Sequence, residues 1–218
     1  MHSFSRASLI ALAAGALAAA ASSEYLTFIG NFGNGIPVFK LDAATGKITS
    51  LGEQATTKTP AWMTISPNGK FLYAINEQAD GVSSFALDVK TGKLTPLNHV
   101  ATKGKGPCHV SIDHTGKAIF VANYGSGSLE SYQIKADGSI GDRASFIQNE
   151  GSSANAERQK GPHAHSANIS PDNRFLVLAD LGLDKLLVFK IDPSTATLTP
   201  NDPPFTSIKP GSGPRHFV

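Results

Sequence analysis

Three stretches decide the fold: SPNGKFLYAIN at Ser66–Asn76, DHTGKAIFVAN at Asp113–Asn123 and SPDNRFLVLAD at Ser170–Asp180. Each is a tight-turn sequence followed by a continuous apolar run. Pro-Asn-Gly, His-Thr-Gly and Pro-Asp-Asn supply residues that tolerate the positive φ of a short hairpin. Runs such as Phe71–Ile75 and Ala118–Ala122 are apolar at every position, as expected of a short strand covered on both faces. A second set of segments follows at a fixed distance: VSSFALDVKTGKLTPL from Val82, SLESYQIKADGSIGD from Ser128 and LLVFKIDPSTATLTP from Leu186, with an earlier copy, IPVFKLDAATGKITSL, from Ile36. Gly46, Gly92 and Gly138 stand at the same turn, 46 residues apart each time. No segment after residue 21 holds a helical period. Four strands in a repeat of roughly 45 residues are the signature of a propeller blade, so the chain is expected to be all-β, with four-stranded antiparallel blades.

Naming the strands of a blade a to d, strand a covers Trp62–Ser66, Cys108–Asp113 and His165–Ser170. Aligned on the hairpins, Ala61, Cys108, His165 and Arg215 occupy one equivalent position at the start of strand a. The polar run 149–160 interrupts the repeat and is expected to form a surface loop, which fits either a functional element or a tolerated insertion.

Composition narrows the function classes. Lys and Arg number 19 against 17 Asp and Glu, a net charge of +2, and they are scattered; this gives no footprint for nucleic acid or an anionic membrane. The single cysteine, Cys108, excludes an internal disulfide, a CxxC pair and a multi-cysteine zinc site. Residues 1–21 show a short polar start with Arg6, an apolar run from Leu9 and a small-residue end at Ala19–Ala21, the pattern of a cleaved secretory leader. The apolar run is too short to span a bilayer. The expected organisation is a signal peptide at 1–21 and a propeller domain at 22–218, exported to the periplasm or secreted, with no membrane attachment after cleavage. Oligomeric state is not legible.

His165-Ser-Ala-Asn-Ile-Ser-Pro-Asp-Asn-Arg174 and Gly213-Pro-Arg-His216, on consecutive repeats, resemble the motifs of the seven-bladed propeller lactonases, the family of bacterial 6-phosphogluconolactonases and fungal carboxymuconate-lactonizing enzymes. The resemblance covers roughly residues 24–218. It implies hydrolysis or formation of a small sugar-acid or carboxylated lactone, with no metal or organic cofactor. It further implies a catalytic histidine and arginine at these motifs, carried onto His165 and Arg215. The family's glutamate in an Asn-Glu-Leu segment and its later arginine have no counterpart within residues 1–218. Since the family closes its ring with seven blades and residues 22–218 hold about four, the chain is expected to be part of a longer propeller. A four-bladed ring closed by pairing the strand at Tyr25–Asn31 with Gly213–Val218 is the alternative.

Lactone hydrolysis needs a base for the attacking water and a cation or N–H donors for the oxyanion. Histidine suits the first task and arginine the second, or an arginine clamps a substrate carboxylate or phosphate. His165 is therefore assigned as general base and Arg215 as electrostatic stabiliser or anion clamp, at the mouth of the propeller channel. The ends of strand b, namely Asn31, Asn76–Glu77, Asn123–Tyr124 and Asp180, are expected to form a polar rim there. From these, Glu77, Asn123 and Tyr124 are taken as substrate-contacting, together with His216. Packing roles compete: His165 could bond a neighbouring blade, and Arg215 could form an inter-blade ion pair. His109, His163 and His216 all fit structural positions, and a His163–His165 metal pair lacks a nearby carboxylate. Cys108 reads as a spectator thiol and Trp62 as core packing between blades. A lactonizing cyclase and a catalytically silent ligand- or partner-binding propeller remain the alternative functions.

Overall fold

The computed structural model describes residues 24–217, so the leader reading of residues 1–21 falls outside the described part. Four antiparallel sheets follow one another along the chain. The first has three strands, β1 (Glu24–Phe28), β2 (Pro37–Asp42) and β3 (Ile48–Glu53). The second holds β4 (Met63–Ile65), β5 (Phe71–Asn76), β6 (Gly81–Leu87) and β7 (Leu94–Ala101). The third comprises β8 (Pro107–Ile112), β9 (Ala118–Asn123), β10 (Ser128–Ile134) and β11 (Ile140–Gln148), and the fourth β12 (Ala164–Ile169), β13 (Phe175–Asp180), β14 (Lys185–Asp192) and β15 (Thr197–Ser207). Every sheet is an up-and-down meander in sequence order. Gly46, Gly69, Gly92, Gly116 and Gly138 and Asn173 all have positive φ, at the turns where the repeat requires it.

Period-two alternation explains why the second strand of each blade is apolar throughout. In β5, Leu72 and Ala74 face the first sheet with Ile36 and Val38, while Tyr73 and Ile75 face the third with Val110, Ile119 and Val121. In β9, Ala118, Phe120 and Ala122 point the other way, onto Ala167, Leu176 and Leu178 of the fourth sheet. The core is thus a series of layers between blades. Each fully buried Leu, Ile or Phe in it contributes about 1.5–3 kcal/mol. Hydrogen bonds stitch the same seams: Tyr73 Oη donates to Gly138 O at 3.0 Å, and the Asn98 amide pairs with both backbone groups of Ile140 at 2.9 Å. A Cβ on Gly138 would run into the Phe71 ring, so this turn needs glycine for close blade approach as well as for its φ of 84°.

Neighbouring sheets meet most closely through their first strands, with β8 against β4 and β12, and more loosely through β7, β11 and β15. The blades therefore splay outward from β4, β8 and β12. Among the described residues β1 is bonded to β2 alone. The 213–217 segment instead runs beside β12, where Asn168 Nδ2 donates to Phe217 O at 3.2 Å, so the ring closed by pairing the two ends is not formed.

Candidate active site

The hydrogen-bond register breaks once in β8 and once in β12. Pairing of β8 with β9 shifts between Pro107 and His109, and pairing of β12 with β13 shifts between Ala164 and Ser166. The extra residues are Cys108 and His165, equivalent positions in the repeat. A bulge leaves one residue out of the ladder and re-aims its side chain. Both side chains turn into a pocket of about 280 Å³ at the starts of the first strands, whose lining also includes Glu77, Tyr124, Arg215 and His216.

His165 is 7% exposed. Arg215 Nε donates to His165 Nε2 at 3.0 Å, which places the imidazole proton on Nδ1. The His216 ring meets the His165 ring edge-on with centroids 4.8 Å apart, and Tyr124 does the same at 5.6 Å. Burial first, then the Arg215 guanidinium and His216, push the His165 pKa down to about 4, so the ring is neutral at physiological pH. Glu77 opens the single-turn 3-10 segment Glu77–Ala79 and lines the pocket, and burial raises its carboxyl pKa. His163 stacks on Tyr124 at 4.5 Å with its Nδ1 2.9 Å from Tyr124 O, which fixes the tyrosine rather than reaching the pocket.

Four residues expected at this site or in its rim lie elsewhere: Asn31, whose amide donates to Gly35 O at 2.8 Å, Asn76, which is 1% exposed and donates to Lys58 O at 2.7 Å, Asn123 and Asp180. Asn123 is fully buried, and its amide donates to Ser128 Oγ and Glu130 Oε1, both at 3.1 Å. It closes a network inside its own blade and is not a pocket residue. The end of β9 points Asn123 inward because alternation sends Tyr124, the next residue, outward. Asp180 is also fully buried, accepting from His163 N at 2.8 Å and Asn149 Nδ2 at 2.7 Å. Cys108 donates its thiol to His165 O at 3.2 Å across the blade seam, and burial pushes its pKa up to about 12, which leaves it unreactive. Among the described residues no group of three or more His, Cys, Asp or Glu side chains could hold a metal ion.

Trp62, Arg158 and Phe32 also line the pocket, places that the sequence pattern does not assign to them. Trp62 is 38% exposed and lies between the His109 ring at 4.7 Å and the His216 ring at 5.5 Å, so it walls the pocket instead of packing a blade seam. Arg158, from the polar insertion, reaches the pocket and donates through Nη2 to Tyr124 Oη at 3.3 Å. The one sequence signal for Arg158 was the length of the insertion beside a repeat that otherwise keeps its period.

The sequence profile of the family described as "Lactonase, 7-bladed beta-propeller" matches residues 21–218. The chain belongs to this lactonase family. A 6-phosphogluconolactonase of Formosa agariphila is 34% identical over 201 residues, covering 88% of this chain and 57% of the relative. A 6-phosphogluconolactonase of Bacillus subtilis is 33% identical over 202 residues, with 90% and 56% covered. Among solved structures, the periplasmic gluconolactonase of Pseudomonas aeruginosa superposes with a TM-score of 0.80 at 31% identity, covering 88% of this chain and 57% of that one. The chain spans about half the length of the curated relatives it matches. Within the propeller-lactonase frame the four sheets are four consecutive blade units; His165 lies on the first strand of the fourth, and Arg215 on the 213–217 segment that follows its last strand and runs beside β12.

Proposed function

We propose that this propeller lactonase chain hydrolyses a small sugar-acid lactone, as 6-phosphogluconolactonases do, in the pocket that joins His165 and Arg215 at one mouth of the propeller channel. The observation that carries the reading is the direct 3.0 Å contact of Arg215 Nε with His165 Nε2 on a bulged first strand. The names of the related proteins support the substrate class.

A water attacks the lactone carbonyl carbon and passes its proton to His165 Nε2. The carbonyl oxygen gains the negative charge, and Arg215 stabilises it. Collapse breaks the ring C–O bond, the leaving alkoxide takes the proton from His165, and the product is a hydroxy acid. At rest the Nε2 lone pair is occupied by the Arg215 Nε–H, so Arg215 must turn toward the substrate before His165 can act. Arg215 is exposed, which leaves room for that turn. Compensation of the guanidinium charge by substrate also removes one of the causes that lower the His165 pKa, making the imidazole a better base when substrate is present. Glu77, Tyr124 and His216 contact the substrate from the surrounding wall.

The leader pattern at residues 1–21, and a periplasmic relative, support export, where an unphosphorylated lactone is the available substrate. Among the described residues no helix is long and apolar enough to cross a membrane. Hydrolysis of δ-gluconolactone and 6-phosphogluconolactone by the protein tests the reading. His165→Ala and Arg215→Ala are each expected to lower kcat/KM about 10²-fold or more. Unchanged rates in both variants would overturn the assignment and leave a ligand-binding propeller.

A further inference from the structure

The insertion at 149–160 is built, not merely tolerated. Asn155 Oδ1 accepts from Glu157 N and Arg158 N, both at 3.0 Å, and Asn155 N donates to Gln159 Oε1 at 2.8 Å. Gln159, 2% exposed, anchors the loop through Nε2 to Leu181 O at 2.8 Å. This scaffold fixes the backbone from which Arg158 extends over the pocket. The segment that carries Arg215 is held by a different set of bonds, and the two sets meet on one side chain. Asp184 Oδ2 accepts from Ser153 Oγ of the insertion at 2.5 Å and from Gly211 N at 2.6 Å, while Oδ1 accepts from Gly213 N at 2.7 Å. Asp184 is 3% exposed and adopts a left-handed φ of 52°.

Arg158 and Arg215 line the same pocket and also share an adjoining one of about 150 Å³. Among the described residues neither forms a salt bridge. Both are exposed, and the one carboxylate of the shared pocket is Glu77. Two guanidinium groups facing one cavity without an ion-pair partner repel each other and together attract an anion. The fork of each guanidinium matches the oxygens of a carboxylate or phosphate.

We propose that Arg158 is a specificity-determining residue that clamps an anionic substituent, carboxylate or phosphate, on the sugar ring, that the Arg215 charge adds to the attraction while its guanidinium serves the carbonyl oxygen, and that Asp184 is the positioning residue that sets the two arms. The inference rests on the lactonase reading only in taking a sugar lactone as the ring that bears the anion. A carboxylated sugar lactone would satisfy both the clamp and an exported location.

Trp62 is the sole tryptophan and walls the pocket, so its fluorescence reports occupancy there without catalysis. Glucose, glucuronate and glucose 6-phosphate are stable pyranoses with a neutral, a carboxylate and a phosphate C6 substituent. At least one of the two anionic sugars is expected to bind about tenfold or more tightly than glucose, and which one does so identifies the anion. Arg158→Gln lowers that anionic-to-neutral ratio about tenfold, seen equally as a rise in KM for the matching anionic lactone. Asp184→Asn lowers the same ratio, and the double variant goes little further than Arg158→Gln. A ratio is unaffected by simple loss of folded protein, and Arg158 is exposed, so its variant is expected to fold. Equal binding of the three sugars, or an anion preference that Arg158→Gln leaves intact, would overturn the clamp. A protein that opens lactones without anion preference keeps the lactonase reading and loses the clamp. One that prefers the anionic sugars but opens no lactone keeps the clamp and loses the lactonase reading.

Discussion

The two ends of the first strands β4, β8 and β12 obey different rules. At the hairpin end the blades repeat one solution. Ser66 Oγ donates to Asn68 Oδ1 at 2.7 Å and accepts from Phe71 N at 3.0 Å, and Ser170 Oγ does the same with Asp172 and Phe175 at 2.6 and 2.9 Å. Asp113 fills the role in the third blade with a carboxylate, accepting from Thr115 N, Lys117 N and Ala118 N. At the opposite end the equivalent residues are Ala61, Cys108, His165 and Arg215, four chemistries in four repeats. Where every blade has the same mechanical task, the side chains solve it alike. Where the blades converge on one pocket, each repeat contributes something different, and departure from the repeat marks the pocket.

The largest effect that would sharpen this contrast is His165→Ala, expected to lower lactone hydrolysis about 10²-fold while shifting the melting midpoint little, since the lost ring borders a pocket. Parallel loss of activity and fold would break the distinction between the two ends. Asp113→Ala is its mirror image. It strands three backbone N–H donors beside a fully buried position and is expected to cost about 2 kcal/mol in a denaturant melt, with hydrolysis by the folded protein retained.

Acid separates the ends differently. Burial first, then Arg215 and His216 beside His165 and the His216 and His165 rings beside His109, holds His165 at about 4 and His109 at about 3, below the ordinary 6.5. The unfolded chain therefore takes up protons that the folded chain refuses, and stability falls as pH drops from about 6.5 to about 4, with His109 extending the loss to about 3. Asp113 adds a later loss: burial alone would raise its pKa, but the Thr115 and Ala118 bonds outweigh it, so its contribution disappears as pH falls through a depressed carboxylate range. Melting midpoints against pH check this, and His109→Asn is expected to flatten the slope. The smallest effect lies at the other hairpin turn. Gly46, at φ 71° with open space around it, should tolerate alanine for about 1 kcal/mol in the same denaturant melt.

Much of this was legible in the residues. Hairpin turns, strand phase and the two-faced apolar strands follow from local φ preferences and period-two alternation, which act within a few residues. The equivalence of Cys108, His165 and Arg215 followed from counting between turns, and the bulges bear out the first two as one structural position. What failed to be legible depended on direction or distance. Asn123 and Tyr124 are adjacent, and which of them enters the pocket is decided by the face that the end of β9 presents. Trp62 looked like core because tryptophan buries well, whereas the stacking partners that hold it at the pocket, His109 and His216, lie 47 and 154 residues away.

By itself, then, the sequence determined the blade, its repeat and the position in each blade that lines the shared pocket, because turns and alternation are short-range. Only the tertiary structure decided which side chains share one cavity. It brought Arg158 from an insertion outside the repeat, sent Asn123 into its own blade, and tied the segments that carry Arg158 and Arg215, through Ser153, Gly211 and Gly213, to the single carboxylate of Asp184. Those outcomes rest on hydrogen bonds between segments that no local pattern connects.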